Sequence, residues 1–288
     1  MLLPCVITYL FYDVPSSLWY EDIMDTSQLM LTGKVAVVTG AARGIGKATA
    51  LAFADLGATV AVCDLLKDEL DETVNELRSK GTDTYSEVID VRDGEAVTTF
   101  FAAVNEALGS VDVLVNNAGG GFWAPFDQVS EKGESVLIRE NFGSVTNCVR
   151  AGLPMLSDGA SIVNVTSVEA YHSAPGFAVY AAMKAAVQQF TQSLAVELGS
   201  RGIRVNCVAP DMIPTPGDAG LAEDSAALID GLQPTPLGRK GTVEECAAVI
   251  CFLASDMSSF VTGSSIPVDG GTVAAGSWKV RDDGSWGM

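Results

Sequence analysis

Residues 35–46 read VAVVTGAARGIG, a β-branched apolar run followed by a turn that contains three glycines. The first part, VAVVT at 35–39, is typical of a strand that is buried on both faces of a parallel sheet. Gly40, Gly44 and Gly46 permit a tight turn and a close approach of the backbone to a ligand, and a helix starting there attracts a phosphate. The stretch therefore predicts the first strand, turn and helix of a dinucleotide-binding α/β fold.

The chain after this stretch alternates between apolar runs and helical segments, with no internal repeat and no interdomain linker. Further strands are predicted at 59–64, 84–91, 111–117, 161–167, 203–210 and 264–271. Helices are predicted to about Leu56, at 67–80, 93–108, 131–156, from Tyr180 to about Leu198, and at 242–255. This order predicts one α/β domain, a doubly wound parallel sheet of about seven strands in three layers. Residues 211–240, rich in Pro and Gly, are predicted to form a mobile loop with a short helix.

The two ends of the chain differ from this pattern. Residues 1–30 contain an apolar run, MLLPCVITYLFY, but no Lys or Arg precedes Lys34, so the positive region of a signal peptide is missing. The run is also too short to span a bilayer. We interpret 1–30 as an extension, either non-native or loosely ordered, 31–272 as the domain, and 273–288 as a C-terminal tail. Trp278 and Trp286 suggest that the tail docks on a neighbouring subunit or closes a substrate pocket; a frayed terminus is the alternative.

Composition excludes several classes of function. A net charge of −19 without a basic stripe argues against nucleic-acid and anionic-membrane partners. The six cysteines form no C-x-x-C pair and most lie in apolar runs, which indicates a reducing, cytoplasmic compartment and no structural zinc. His172 is the one histidine, so a multi-histidine metal site is excluded, and no metal is expected.

Three residues between 167 and 184 form a candidate reacting group. Tyr180 and Lys184 are one helical turn apart, so their side chains share a helix face. Ser167 ends the apolar run before that helix and can meet the pair in space. A free tyrosine has a pKa of about 10, and a nearby lysine cation favours its phenolate form. The group is therefore suited to proton transfer near neutral pH.

The second predicted strand ends at Asp64, in the position where a carboxylate can accept hydrogen bonds from both ribose hydroxyls of a dinucleotide. Leu65 and Leu66 follow, so no adjacent cation favours a 2′-phosphate. Arg43 in the glycine turn could reach such a phosphate and argues in the other direction. We expect NAD as the cofactor, and NADP as the less favoured alternative.

These motifs together resemble the short-chain dehydrogenase/reductase family in its single-domain Rossmann form. The turn TGAARGIG resembles the family's T-G-x-x-x-G-x-G pattern, and the run 116–119, NNAG, matches its motif after the fourth strand. The resemblance extends over roughly residues 31–272. It implies a catalytic tetrad, which would comprise Asn141, Ser167, Tyr180 and Lys184. It further implies a homotetramer built through the long helices near 131–156 and 178–198.

The same resemblance, with the ribose argument above, implies the residues that would bind the dinucleotide. They are Gly40, Arg43, Gly44, Ile45, Gly46, Asp64, Leu65, Asp90, Val91, Asn117, Ala118, Gly119, Tyr180, Lys184, Pro210, Ile213 and Thr215. Two positions depart from the family pattern. Asp211 follows Pro210 where glycine is usual, and Pro214 interrupts the stretch that contacts the nicotinamide carboxamide, which leaves the role of Thr215 open.

Candidate substrate residues follow the fourth and fifth strands and open the 211–240 loop: Phe122, Trp123, Glu169, Tyr171, His172 and Met212. Most are aromatic or apolar, so we expect a small hydrophobic secondary alcohol or ketone as the substrate. For Phe122 and Trp123, simple packing of the loop is the alternative, and for His172 a solvated loop position.

Two other functions remain open. One is an NADP-dependent reductase of 3-oxoacyl groups on a carrier protein or coenzyme A; residues 127–139 are more acidic than basic, which disfavours an acidic carrier. The other is a non-catalytic protein that binds the dinucleotide as a sensor or scaffold. The presence of all four residues of the predicted tetrad argues against it.

Overall fold

A seven-stranded parallel sheet forms the centre of the computed structural model, which describes residues 25–218 and 233–287. The strands are β1 Val35–Thr39, β2 Thr59–Asp64, β3 Thr84–Val88, β4 Val111–Asn116, β5 Leu156–Val165, β6 Arg204–Pro210 and β7 Ser265–Val268. Their order is β3-β2-β1-β4-β5-β6-β7. The chain runs outward from β1 to β3 and then crosses back to β4. Parallel sheets of this kind bind ligands at the carboxyl edge where the order reverses, here between β1 and β4.

The sheet is covered on both faces, because its strands are apolar on both sides. All five residues of β1 are buried. Val37 belongs to one hydrophobic cluster, and its neighbours Ala36 and Val38 belong to a second cluster on the opposite face. Successive strand residues point to opposite faces, so a continuous apolar run serves a strand with helices on each side.

The helices form the two outer layers. They are α1 Gly44–Asp55, α2 Lys67–Ser79, α3 Gly94–Leu108, α4 Glu131–Ile138, α5 Ser144–Gly152, α6 Ala178–Leu198, α7 Val243–Ala254 and the single turn α8 Thr272–Ala275. Phe53 of α1, Leu70 of α2 and Ile250 of α7 pack on one face. Phe100 of α3 and Val187 of α6 pack on the other, so the predicted three-layer doubly wound fold is confirmed.

The largest difference from the sequence prediction lies at 131–156. The expected single helix is divided into α4 and α5 by a π-helical turn at Arg139–Gly143, and α5 ends at Gly152. β5 already begins at Leu156, which pairs with Val111 before a shift of register. Residues 157–160 lie within β5 at this shift of register, between Leu156 and Ser161, which both pair with β4.

The ends of the chain have their own local structure. Residues 1–24 of the predicted extension, and the part of the 211–240 loop at 219–232, lie outside the described residues. Leu31 is buried and its backbone N–H donates to the carbonyl of Leu56. The tail forms a short antiparallel hairpin, β8 Lys279–Val280 with β9 Trp286–Gly287. Across the two described ranges, no helix is both long and apolar enough to cross a membrane.

Candidate active site

A cleft of about 750 Å³ lies at the carboxyl edge of the sheet and spans the switch between β1 and β4. Most of the predicted site residues line it: Gly40, Arg43, Gly44, Ile45, Asp64, Leu65, Asp90, Val91, Asn117, Ala118, Gly119, Ser167, Glu169, Tyr180, Lys184, Pro210, Met212, Ile213 and Thr215. The sheet topology thus brings together, in one cavity, residues that are up to 175 positions apart in sequence. Six predicted residues do not line it: Gly46, Phe122, Trp123, Asn141, Tyr171 and His172.

The glycine turn is shaped by close packing within the protein. Gly40 has a φ of 67°, and a Cβ there would lie 2.8 Å from the Cα of Ala118. A Cβ on Gly46 would lie 2.1 Å from the carbonyl oxygen of Gly40 and 2.5 Å from Nδ2 of Asn117. Because such contacts are far below van der Waals distance, only glycine fits. Gly46 therefore holds α1 against the turn from inside, without lining the cleft.

The N-terminus of α1 opens into the cleft. Arg43 precedes the helix with an extended backbone and gives no side-chain cap. The backbone N–H groups of a first turn have no partners within the helix, and the helix dipole makes this end attractive to anions. Gly44 and Ile45 line the cleft at this point. The geometry fits the pyrophosphate of a dinucleotide.

Asp64 stands at the end of β2 with its carboxylate fixed by two backbone groups. Oδ2 accepts from the N–H of Ala42 at 2.9 Å, and Oδ1 accepts from the N–H of Leu66 at 3.0 Å. Each carboxylate oxygen has a second lone pair, so Asp64 can still accept hydrogen bonds from a ligand. The position and its remaining acceptor capacity fit a ribose diol.

Asp90 is held by Arg92, which also lines the cleft and was not among the predicted residues. Nε and Nη2 of Arg92 donate to the carboxylate at distances of 2.8 to 3.0 Å. These hydrogen bonds lower the pKa of Asp90. The Asp-x-Arg spacing in the sequence was the available signal. The pair forms a fixed, charged part of the cleft wall beside Val91.

Thr39 and Asn117 join β1 to β4 at the switch point. The Thr39 hydroxyl accepts from the N–H groups of Asn117 and Ala118, both at 3.1 Å. Nδ2 of Asn117 donates to the carbonyls of Thr39 and Gly40 at 3.0 and 2.9 Å. These bonds hold a backbone segment without large side chains against the cleft, where a flat ligand can approach closely.

Ser167, Tyr180 and Lys184 meet at one end of the cleft, as their spacing predicts. Ser167 directly follows Thr166 at the end of β5, and Tyr180 lies in the first turn of α6. Nζ of Lys184 lies 5.5 Å from the centre of the Tyr180 ring and donates to the carbonyl of Val165 at 3.1 Å. A hydroxyl, a phenol and an ammonium group thus surround one region.

Lys184 is buried, with 5% of its surface exposed. Burial lowers its pKa to about 8, and the carboxylates of Glu140 and Glu169 act in the opposite direction. The helix that bears it is anchored to β5, because Nδ2 of Asn164 donates to the Thr191 hydroxyl at 2.8 Å. Adjacent residues of β5 therefore fix α6 and the lysine head group together.

Asn141 lies in the π-helical turn, beneath the cleft surface, and is 1% exposed. Its Nδ2 donates to the carbonyls of Gly120 and Leu137 at 2.8 and 3.0 Å. Its Oδ1 has no hydrogen-bond partner among the described residues. A Cβ on Gly119 would lie 3.0 Å from this oxygen and 3.3 Å from Nζ of Lys184. An acceptor and a donor therefore face the same point, and π-turns often occur at functional sites.

The remaining predicted substrate residues lie outside the cleft. Trp123 packs against Gly176, where a Cβ would approach its Nε1 to 2.0 Å. The Tyr171 hydroxyl donates to the carbonyl of Ser265 at 3.1 Å, and His172 is exposed. Phe122 is also exposed. Their substrate roles stay predictions, and loop packing accounts for the observed position of Trp123.

The cleft is also lined by residues that the sequence did not predict, among them Gly120, Gly121, Glu140, Phe177, Asp211 and Lys240. Glu169 accepts a hydrogen bond from the Ser167 hydroxyl. Burial raises the pKa of Asp211, and Glu169 adds to this rise. Met212 has a φ of 50°, the one positive value at a non-glycine residue in the described ranges. Strained backbone of this kind tends to occur at functional sites.

The chain is similar over most of its length to a protein family and to known enzymes. Residues 40–273 match the family model described as Enoyl-(Acyl carrier protein) reductase. The 3-oxoacyl-(acyl-carrier-protein) reductase of Thermotoga maritima is 42% identical over 247 residues, which cover 85% of this chain and 100% of that protein. Cyclohexanol dehydrogenase of Rhodococcus sp. is 41% identical over 271 residues, covering 85% of this chain and 98% of that protein.

The fold has similarly close neighbours among solved structures. The short-chain dehydrogenase/reductase of Brucella melitensis named glucose/ribitol dehydrogenase superposes with a TM-score of 0.79 at 34% sequence identity. The superposition covers 84% of this chain and 97% of that one. The similarity therefore extends over nearly the whole length of each relative.

Proposed function

The chain belongs to the short-chain dehydrogenase/reductase family of nicotinamide-dependent oxidoreductases, and we propose that it interconverts a hydrophobic secondary alcohol and its ketone with NAD. The observation that supports this most directly is the meeting of Ser167, Tyr180 and Lys184 in the cleft that also contains the glycine turn and Asp64. Such a reaction requires that the groups that transfer the proton and the binding site for the dinucleotide lie in the same cavity.

In the proposed mechanism, Tyr180 exchanges a proton with the substrate oxygen. The Lys184 ammonium, 5.5 Å from the ring centre, favours the phenolate and so makes Tyr180 a base near neutral pH. The Ser167 hydroxyl hydrogen-bonds the substrate oxygen as charge develops there. Asn141, with its acceptor oxygen directed towards the same region as Nζ of Lys184, holds a proton relay in place. The dinucleotide, when bound, supplies the hydride acceptor or donor.

We assign the dinucleotide to the half of the cleft formed by β1, β2 and β4. The α1 N-terminus holds the pyrophosphate, Asp64 the adenine ribose, and Asp90 with Val91 the adenine. Pro210, Ile213 and Thr215 lie on the nicotinamide side. NAD is preferred over NADP because the fixed Asp64 carboxylate repels a 2′-phosphate. Arg43 at the same end of the cleft is the feature that favours NADP.

A hydrophobic substrate is supported by Phe177 and Met212, which line the substrate end, and by the similarity to the Rhodococcus cyclohexanol dehydrogenase. The second candidate, reduction of 3-oxoacyl thioesters with NADPH, is supported by the similarity to the Thermotoga enzyme. Two carboxylates, Glu169 and Asp211, line the substrate end and disfavour an anionic thioester.

The purified protein should be tested with secondary alcohols and NAD or NADP, and with 3-oxoacyl thioesters and NADH or NADPH, by following nicotinamide absorbance. We expect the highest kcat/KM for a cyclic secondary alcohol with NAD. Higher kcat/KM for the thioester with NADPH would support the second candidate instead. Dinucleotide binding without turnover of any substrate would favour a sensor or scaffold.

We also propose that the protein assembles as a homotetramer. Val196 on α6 is 83% exposed, and Phe260 is fully exposed, so both are suited to burial by another subunit. The tail is proposed to dock on a neighbouring subunit, because Trp278 and Trp286 are exposed, or to close the substrate pocket, because its Val280 carbonyl accepts from the N–H of Gln233 within the 211–240 loop. Sedimentation of the full chain and of a chain that ends at residue 274 tests the assembly, and the KM of the shortened chain for its substrate tests closure of the pocket.

A further inference from the structure

The hydrogen bond between Ser167 and Glu169 has a fixed direction. A carboxylate can only accept, so the Ser167 hydroxyl must be the donor. A serine hydroxyl has one proton, and here that proton is directed to Glu169. The substrate oxygen in the proposed reaction needs the same proton. Glu169 and the substrate therefore compete for Ser167.

The position of Glu169 is set by the backbone. Residues Val168–Ala170 form a single helical turn directly after Ser167. The N–H of Ala170 donates to the carbonyl of Ser167 at 3.0 Å, and the N–H of Tyr171 donates to that of Val168 at 2.9 Å. The turn therefore keeps the backbone of Glu169 beside Ser167, and the side-chain contact between the two is local. A substrate that accepts the hydrogen bond of the Ser167 hydroxyl would leave the Glu169 carboxylate in the cleft without its donor.

An acceptor deprived of its partner in a poorly hydrated site is costly, and a charged acceptor more so. Two neighbours of Glu169 do not donate to it in this structure. Asp211, the next carboxylate on the cleft wall, repels the charge of Glu169, as the raised pKa of Asp211 reflects. Lys184 donates to the carbonyl of Val165. The missing donor is best supplied by the substrate itself.

On the basis of the proposed function, we infer that Glu169 determines specificity, by selecting secondary alcohols that bear a second hydrogen-bond donor, a hydroxyl or an ammonium group, on the carbon next to the carbinol. The carbinol oxygen accepts a hydrogen bond from the Ser167 hydroxyl, and the second group of the substrate donates a hydrogen bond to Glu169. Ser167 and Glu169 are in direct contact, so the two substrate groups must be neighbours as well. Phe177 and Met212 still accommodate an apolar ring.

The test compares kcat/KM for cyclohexanol, cis- and trans-1,2-cyclohexanediol and 2-methoxycyclohexanol. The methyl ether keeps the size and the oxygen of the diol but has lost the second donor. We expect the wild-type protein to favour one diol isomer over the matching ether by about tenfold or more, the usual effect of a hydrogen bond to a charged group. Glu169→Val should bring this ratio close to one and raise kcat/KM for cyclohexanol, because Ser167 is released.

Glu169→Gln keeps the shape and one acceptor, so its ratio should lie between those of the wild type and Glu169→Val. It also serves if Glu169→Val fails to fold, which thermal unfolding would reveal. Glu95→Gln, a change to an exposed carboxylate on α3, should leave the ratio unaltered. A diol-to-ether ratio near one in the wild type, or the wild-type ratio in either Glu169 variant, overturns the inference. If none of the four alcohols is oxidised with either dinucleotide, the proposed function itself fails, and this inference falls with it.

Discussion

Lys184 and Val165 are joined by a hydrogen bond of 3.1 Å that fixes an ammonium group beneath the Tyr180 ring. The carbonyl belongs to the last residue of β5, and the lysine to the second turn of α6. A strand end and a helix therefore position the lysine together, within 5.5 Å of the centre of the tyrosine ring. This relationship makes the proton-transfer proposal open to direct tests.

Tyr180→Phe removes the phenol and keeps the ring. We expect kcat to fall by roughly 10²–10⁴-fold, the range for loss of a general acid–base group, while dinucleotide affinity is largely retained. Steady-state kinetics and a dinucleotide titration by fluorescence provide the measurements. Tyr85→Phe, at a hydroxyl that donates to Glu87 on β3, is the matched control and should keep wild-type turnover. Near-normal turnover in Tyr180→Phe would exclude Tyr180 as the acid–base group.

Lys184→Met should raise the stability of the protein at neutral pH while lowering its activity. The pKa of Lys184 is lowered by burial to about 8, below its unfolded value of 10.5, so the unfolded chain binds more protons between these limits. The buried lysine thus lowers the free energy of unfolding most strongly below pH 8. This destabilisation decreases as the pH rises to 10.5. We expect Lys184→Met to be more stable than the wild type at pH 7, by about 1–3 kcal/mol, and to lose most activity.

Urea unfolding of both proteins from pH 7 to 10 measures this difference. The gap in the free energy of unfolding should narrow as the pH rises through 8, because the wild-type lysine then becomes neutral. Groups that do not interact with Lys184 titrate alike in both proteins and cancel, and making the same comparison in a Tyr180→Phe background removes the one tyrosine that the lysine ring contact couples to it. A gap that stays constant with pH would mean that Lys184 is not the titrating group.

Asp64→Ala combined with Leu65→Arg should move cofactor preference from NAD to NADP. The change removes a carboxylate that is fixed by the N–H groups of Ala42 and Leu66 and adds a cation beside the ribose position. We expect the ratio of kcat/KM for NAD to that for NADP to fall by about 10²-fold, equivalent to two charge-assisted hydrogen bonds. Asp68→Ala, in the first turn of α2, is the control. An unchanged ratio would contradict the ribose assignment.

Gly46→Ala should destabilise the protein although Gly46 does not face the cleft. The added Cβ would lie 2.1 Å from the carbonyl of Gly40, so the turn must shift. We expect a loss of about 2 kcal/mol or more in the free energy of unfolding, together with weaker dinucleotide binding. Gly94→Ala at the start of α3, where the nearest atom to the new Cβ is 3.5 Å away, should be tolerated. Chemical denaturation and a dinucleotide titration distinguish the two.

Much of the fold could be predicted from the sequence because its signals are local. The buried run at 35–39 and the glycine turn specify a strand, a turn and a helix through their own backbone preferences. The helix predicted at 131–156 was wrong in its details because β4 supplies partners to Leu156, a long-range effect that no local pattern records. The π-helical turn around Asn141 likewise depends on tertiary packing.

Some residues of the candidate site could likewise be predicted from local sequence patterns, and others only come together in the folded structure. The proximity of Ser167, Tyr180 and Lys184 could be predicted because a strand end and a helix face have fixed geometry. Trp123 and Tyr171 lie on connecting segments, where sequence proximity to a strand end does not decide which way a side chain points. Glu140, Phe177 and Asp211 line the cleft for equally non-local reasons. An acidic residue two positions after Ser167 was visible, but its contact with that serine was not.

The hydrogen bonds from Asn117 to Thr39 and Gly40 hold the dinucleotide cradle together from within, independently of the segments that contact the substrate. A substitution at Met212 can therefore change the wall of the cleft while the cradle keeps its hydrogen bonds, whereas a substitution at Glu169 also releases the Ser167 hydroxyl. Relatives with similar sequence identity to this chain, 42% and 41%, are named as a 3-oxoacyl-(acyl-carrier-protein) reductase and a cyclohexanol dehydrogenase, so overall identity does not decide which substrate enters this cleft.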